Sequence, residues 1–106
     1  MSLELIDDSS YEAVIRTSGF VIIQFGATWC GPCKLISPIL HELSDKRRDV
    51  KFCKVDIDES PISSSKMNIR AVPTVIIYKD GAEVKREVGS MSKNRLEQLI
   101  SYCSNN

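Results

Sequence analysis

Two cysteines separated by two residues carry the most evident chemistry in this sequence, in the segment Trp29-Cys30-Gly31-Pro32-Cys33-Lys34. A dithiol at this spacing can close into a disulfide and reopen, passing two electrons to or from another disulfide. The same spacing is also half of a zinc site, which needs four thiolate or imidazole ligands in all. The complement is missing. Cys53 falls inside an apolar strand, Cys103 lies near the C-terminus, and His41, the only histidine, belongs to a helix on its expected solvent side. Dithiol exchange is therefore the expected chemistry, with no metal.

The position of the pair matters as much as its spacing, because it lies where a buried strand gives way to a helix. A helix N-terminus presents unpaired N–H groups and a positive dipole end, which stabilise a thiolate over a thiol. Cys30 comes first and is expected to be the more exposed, making it the attacking sulfur. Cys33, one turn in, is then the resolving sulfur.

The strand before the pair is Phe20-Val21-Ile22-Ile23-Gln24-Phe25, apolar at nearly every position and rich in β-branched residues, as a central strand buried on both faces should be. After the pair, Cys33, Ile36, Ile39, Leu40 and Leu43 recur at spacings of three and four, the apolar face of a helix running from Pro32 to about Arg48. Pro38 lies inside that helix and lacks the N–H that would bond the Lys34 carbonyl, so a kink is expected there. Val50 to Ile57 reads as a second strand, and strand, helix and strand in this order make a right-handed parallel crossover.

Upstream, Ser9 and Glu12 have the spacing of a capping box for a short helix with Tyr11, Val14 and Ile15 on its apolar side and Gly19 at its end. Ser60 followed by Pro61 reads as the cap and first residue of another short helix, ending near Met67. Thr74 to Tyr78 and Glu83 to Val88 flank Asp80-Gly81, a hairpin-turn signal, so these strands should run antiparallel. A last helix starts at Ser92, with Met91 placed to staple against Leu96, and with Leu96, Leu99, Ile100 and Cys103 on one face. The whole reads as a mixed sheet with helices on both sides.

The chain of 106 residues has room for one hydrophobic core, and 42% hydrophobic with 26% charged residues is the composition of an ordinary globular protein. Basic and acidic residues balance at 14 each, which gives no long-range field for nucleic acid or an anionic membrane. The short run Lys46, Arg47, Arg48 reads as a solvated helix end, its cations complementing the helix dipole. Met1 to Ser10 has the pattern of neither a secretory signal nor a transit sequence, and no apolar run approaches the roughly 20 residues of a membrane helix. A cytoplasmic location is the expectation. In a reducing compartment a close cysteine pair reads as a catalytic or metal site rather than a structural clip.

From end to end, the sequence resembles the thioredoxin family. Besides the dithiol with Gly31 and Pro32, the likeness rests on Ala71-Val72-Pro73-Thr74 and on Gly81 and Gly89, at a hairpin turn and a loop flanking the active site. The resemblance implies the thioredoxin fold, an α/β architecture with a central mixed five-stranded sheet flanked by helices on both faces, as a single domain over residues 1–106. It implies a general protein-disulfide reductase, a monomer, with no bound cofactor. Its reducing equivalents would come from NADPH through a separate thioredoxin reductase, and its other partners would be disulfide-containing proteins. The chain itself has no nucleotide fingerprint, since Gly26 to Gly31 lacks the glycine spacing.

Carried onto this sequence, Pro73 would be cis, and Val72 would offer its backbone to a bound substrate strand. Trp29, Gly31, Pro32, Val72, Pro73 and Gly89 would form the apolar docking surface, Asp58 would hold the Trp29 indole, and Lys54 would lie beneath the dithiol. Oxidising members and isomerases of the family carry a His between the cysteines, which this chain lacks. An oxidase or isomerase of the same fold, and a redox-regulatory binding module, nevertheless stay open as alternatives.

The thiolate does not account for the rate. With an attacking pKa of about 7, the reference value for thioredoxins, in place of about 8.5, the thiolate fraction at pH 7 rises from roughly 3% to roughly half. Nucleophilicity falls roughly fivefold over the same shift, leaving a gain of only about threefold. Positioning of the target and resolution by Cys33 are expected to supply the rest.

One position departs from the family pattern. Where that strand usually carries a buried Asp, this chain has Gln24, followed two positions on by Gly26. An amide cannot accept the proton of a resolving thiol. Resolution is thus expected to be slower, or to depend on water and Lys54.

Overall fold

A computed structural model describes residues 3–105 of the chain. The elements in order are β1 (Leu3–Ile6), α1 (Tyr11–Ile15), β2 (Phe20–Gly26), α2 (Gly31–Lys46), β3 (Val50–Asp56), α3 (Pro61–Lys66), β4 (Thr74–Lys79), β5 (Ala82–Val88) and α4 (Lys93–Asn105). They form one five-stranded sheet in the order β1-β3-β2-β4-β5. β2 runs parallel to β3, and β3 to β1, while β4 is antiparallel to both β2 and β5.

Every residue of β2 is buried, as its sequence requires. Alternation along the strand divides its side chains between two cores. Phe20 and Ile22 join Ile36, Leu40 and Leu43 of α2 and Leu96, Leu99, Ile100 and Cys103 of α4 on one face. Val21, Ile23 and Phe25 join Tyr11 and Ile15 of α1 on the other. Gln24 and Gly26 share the parity of Ile22, so they lie on the α2 side, where that helix begins. Packing thus places position 24 next to the dithiol.

The edges are handled by chemistry rather than by cover. β5 is largely exposed and carries the charged run Lys85, Arg86 and Glu87, which discourages pairing with another chain. Asp80 and Gly81 between β4 and β5 both have positive φ, 51° and 91°, the geometry of a tight hairpin turn. Asp80 also ties this turn to the approach to β2, its carboxylate accepting the Gly19 N–H at 2.7 Å.

Several local expectations are corrected. Ser9 and Glu12 do not form a capping box: Ser10 is the N-cap of α1 and makes no side-chain cap bond. Asp7 organises this turn instead, its carboxylate accepting from the Ser9 N–H and hydroxyl. Glu12 pairs across space with Lys66 at 2.8 Å. The helix ends at Ile15, and Gly19, at φ 87°, belongs to the turn into β2. Ser60 precedes Pro61 as expected, yet its hydroxyl is buried without a partner and caps nothing.

The cap of α3 comes from 54 residues away, where Asp8 accepts the N–H of Ile62 at 3.0 Å and of Ser63 at 2.7 Å. Within the basic run, Lys46 and Arg48 are exposed, but Arg47 is not simply solvated. It donates to the Ile100 carbonyl at 3.2 Å and pairs with Asp49, joining the end of α2 to α4. The start of α4 is as expected, with the Ser92 hydroxyl accepting the Arg95 N–H at 3.1 Å.

Burial pushes the Asp8 carboxyl upward, but the bonds from Ser63 and Ile62 outweigh it and hold the group below its ordinary 3.8. A depressed carboxyl contributes stability that is present above its unfolded pKa and lost as pH falls through the folded one. Asp8→Ala is therefore expected to lower the melting temperature at pH 7, with the deficit narrowing as the solution is acidified past the carboxylate range. Thermal denaturation followed by circular dichroism across that range checks this; a deficit independent of pH means that the charge plays no part.

Candidate active site

Cys30 is the N-cap of α2, with extended backbone at φ −91° and ψ 109°. It precedes Gly31 and Pro32, the first two helical residues, where the missing proline N–H costs nothing. The Cys30 sulfur accepts the backbone N–H of Cys33 at 3.2 Å. A sulfur therefore takes the place of the oxygen that caps most helices, satisfying an orphan donor at the positive end of the helix dipole. Cys30 and Cys33 are joined as a disulfide, with Cα atoms 5.3 Å apart. In this oxidised state the two are equally buried, at 4% and 3%, so the expected greater exposure of Cys30 is not found. The distinction between them lies in position: Cys30 caps the helix, and Cys33 is inside it.

The other two cysteines are chemically quiet. Burial pushes the Cys53 thiol up to about 12 and the Cys103 thiol up to about 11, in each case against a smaller opposing pull from a nearby cation. At neutral pH both are protonated, hydrophobic core residues. Among the described residues, no three His, Cys, Asp or Glu side chains converge as metal ligands.

Around the disulfide, Ala27 and half-buried Val72 pack on the two cysteines. The Val72–Pro73 peptide is cis, and the Pro73 carbonyl accepts the Gly89 N–H at 2.8 Å, so the start of β4 and the end of β5 are tied together beside the dithiol. Gly89 has φ 100°, a conformation that glycine adopts without strain. Trp29 is 65% exposed, yet its indole N–H donates to the Asp58 carboxylate at 2.9 Å. Asp58 is itself placed by a turn in which its N–H donates to the Asp56 carboxylate at 2.9 Å. An anchored, exposed aromatic next to a cysteine offers apolar area without the entropy cost of ordering it on contact.

Behind the dithiol, Gln24 is fully buried. Its amide nitrogen donates to the Cys33 carbonyl at 3.3 Å, and its oxygen accepts from the Ser37 hydroxyl at 3.0 Å. Ser37 is also 3.1 Å from the Cys33 carbonyl. With a single proton, the Ser37 hydroxyl can serve only one of these acceptors at a time. Lys54 lies opposite Gln24 in the β2–β3 register and lines, with Gly26, Cys33, Ser37 and His41, a groove of about 1150 Å³. Sequence reasoning did not single out Ser37. The available signal was its spacing, four residues after Cys33 and so on the same helix face.

A redox-active dithiol at the N-terminus of a helix that follows a central strand, beside a cis-proline loop, defines a thiol-disulfide oxidoreductase. A sequence model of the family described as Thioredoxin matches residues 2–102. A thioredoxin of Chlamydia trachomatis is 46% identical over 84 residues, 79% of this chain and 82% of that one. Thioredoxin Asp f 28 of Aspergillus fumigatus is 38% identical over 99 residues, 93% of this chain and 92% of that one. The solved structure of Plasmodium falciparum thioredoxin superposes with a TM-score of 0.89 at 35% identity, covering 94% of this chain and 98% of that one. The chain belongs to the thioredoxin family and is a thiol-disulfide oxidoreductase that needs no bound cofactor.

Because Gln24 cannot ionise, it contributes no titration to the dithiol. A carboxylate at the same buried position would be pushed up by desolvation and would add one. Gln24→Asp is therefore expected to introduce a new inflection in the pH dependence of disulfide reduction, followed with a model disulfide. An unchanged profile would mean that position 24 has no part in proton transfer at Cys33.

Proposed function

We propose that the chain is a general reductase of protein disulfides in which Cys30 attacks and Cys33 resolves. The observation that carries this assignment is the bond from the Cys33 N–H to the Cys30 sulfur at the start of α2. That donor and the helix dipole would stabilise a thiolate at Cys30, where none of the buried cysteines elsewhere has such a partner at a helix start.

The Cys30 thiolate displaces one sulfur of the target disulfide, giving a mixed disulfide, and Cys33 then attacks Cys30 and releases the reduced target. Trp29, Gly31, Pro32, Val72, Pro73 and Gly89 act as the docking surface, with the Val72 backbone bonding an extended target strand and Asp58 steadying Trp29. Lys54 and Gln24 support the dithiol from behind. The oxidised protein is returned to the dithiol by a separate thioredoxin reductase drawing on NADPH, and the protein works as a cytoplasmic monomer. Among the described residues, no helix is long and apolar enough to cross a membrane.

Cys33→Ser is expected to accumulate covalent complexes with target proteins through Cys30, visible on non-reducing gels and released by dithiothreitol. Capture by Cys30→Ser instead would reverse the roles. The direction of exchange is read from the equilibrium potential. The reference value for thioredoxins is about −270 mV, against about −180 mV for disulfide isomerases. With 30 mV worth about 1.4 kcal/mol for two electrons, the difference is about 4 kcal/mol and separates the two functions. A potential near the lower value, with dithiothreitol-dependent precipitation of insulin, is the expected result; the higher value would indicate an isomerase, and failure to precipitate insulin a binding module.

A further inference from the structure

Cys33 has two sides. In front is Val72, on the side of the proposed docking surface. Behind is the groove lined by Gly26, Ser37 and Lys54, which reaches Cys33 although that residue is only 3% exposed. The β2 residue against the Cys33 sulfur is Gly26. A Cβ there would stand 3.2 Å from the sulfur and 3.3 Å from the Cys33 Cβ, so a methyl at this position would press on the sulfur beside the groove. The Gln24 amide nitrogen is 3.5 Å from the same point. Both ends of that amide are bonded to α2, through the Cys33 carbonyl and the Ser37 hydroxyl.

These facts meet a chemical requirement. A resolving thiol has to lose its proton, and the buried polar group nearest to Cys33 is a neutral amide with no capacity to take one. We propose that Gly26 and Ser37 form a rear solvent port through which the Cys33 proton passes to water as Cys33 resolves the mixed disulfide. Gly26 keeps the flank of the sulfur open, and Ser37 holds the Gln24 side chain against α2. Both are positioning residues. The groove wall includes Lys54, Asp56 and Glu59, whose charged groups can bond water.

In this step the Cys33 S–H bond breaks, its proton passes to water in the groove, and the Cys33 thiolate bonds to the Cys30 sulfur. The bond between Cys30 and the target sulfur breaks, its electron pair leaves on the target, and that sulfur is protonated from bulk water. The dithiol is oxidised to the disulfide, and the target is reduced. This inference rests on the reading that Cys33 resolves.

The test follows release of the reduced peptide in a single turnover, after the reduced protein is mixed with enough peptide disulfide to make attack by Cys30 fast. Gly26→Ala is expected to slow release by at least about tenfold, within the scale of positioned proton transfer, while alkylation of Cys30 by iodoacetamide is unchanged. Adding Gln24→Asp to Gly26→Ala supplies an internal proton acceptor and is expected to recover most of the loss. A slow variant that the carboxylate does not rescue is hindered by the contact of the new methyl with Cys33, and the port is then wrong; release at the parental rate overturns it as well.

Should Gly26→Ala fail to fold, Ser37→Leu narrows the same opening from the helix side. Slowing of the same order with the same rescue supports the port, and an unaffected rate rejects it. A wrong assignment of attacker and resolver is distinguishable, because Cys33→Ser would then capture no target through Cys30.

Discussion

The bond between the Cys33 N–H and the Cys30 sulfur at the first turn of α2 is the interaction on which the rest of the site depends. It requires that the chain leave a central strand, turn once and start a helix with a cysteine as the cap. The strand β2 can occupy the middle of the sheet because it is apolar on both faces, and α2 can pack across it because Ile36, Leu40 and Leu43 present one buried stripe. Neither element does chemistry. Together they hold the cap, and through it the disulfide, in one place.

The four cysteines show how far environment decides reactivity. Cys53 and Cys103 have the same thiol as Cys30, but burial among hydrocarbon raises their pKa and leaves them protonated. The pair in α2 is buried to a similar degree when oxidised, so burial alone does not separate reactive from inert sulfur. A fixed N–H donor and the end of a helix dipole are present at Cys30, and they favour the charged form.

Around this centre the fold uses long-range polar contacts to hold short elements that could not hold themselves. The helix α3 has six residues, far below the length at which an isolated helix is stable in water. Its first turn is held by Asp8, from the loop after β1, and its last residue by the ion pair of Lys66 with Glu12. Asp58, just before α3, holds the Trp29 indole. The exposed aromatic beside the dithiol is thus fixed through a segment that is itself clamped from the other end of the chain.

Much of this architecture was legible in the sequence. Periodicity gave α2, β2, β3 and the β4–β5 hairpin to within one or two residues, since each carries an apolar pattern that makes sense only when buried on one or both faces. Asp80-Gly81 specified its turn because few other pairs accept two positive φ values. Family resemblance added the cis peptide at Pro73, the carboxylate at Asp58 facing Trp29, and a fifth strand without its place, since β1 has no pattern long enough to be read alone.

The missed helix caps share one cause. Ser9, Glu12 and Ser60 have the spacing of caps, yet the Asp7 carboxylate holds only the turn before α1 and Asp8 caps α3, because a helix end accepts whichever acceptor the fold brings within reach. The sequence by itself determined the dithiol, its place at a helix start and the neutral side chain at position 24, because these depend on residue type and local order along the chain. Tertiary structure alone decided that Ser37 bonds Gln24, that Gly26 lies against the Cys33 sulfur, and that Asp8 caps α3. Those contacts join residues on different elements, and their distances are set by packing between the sheet and its helices, which no local pattern records.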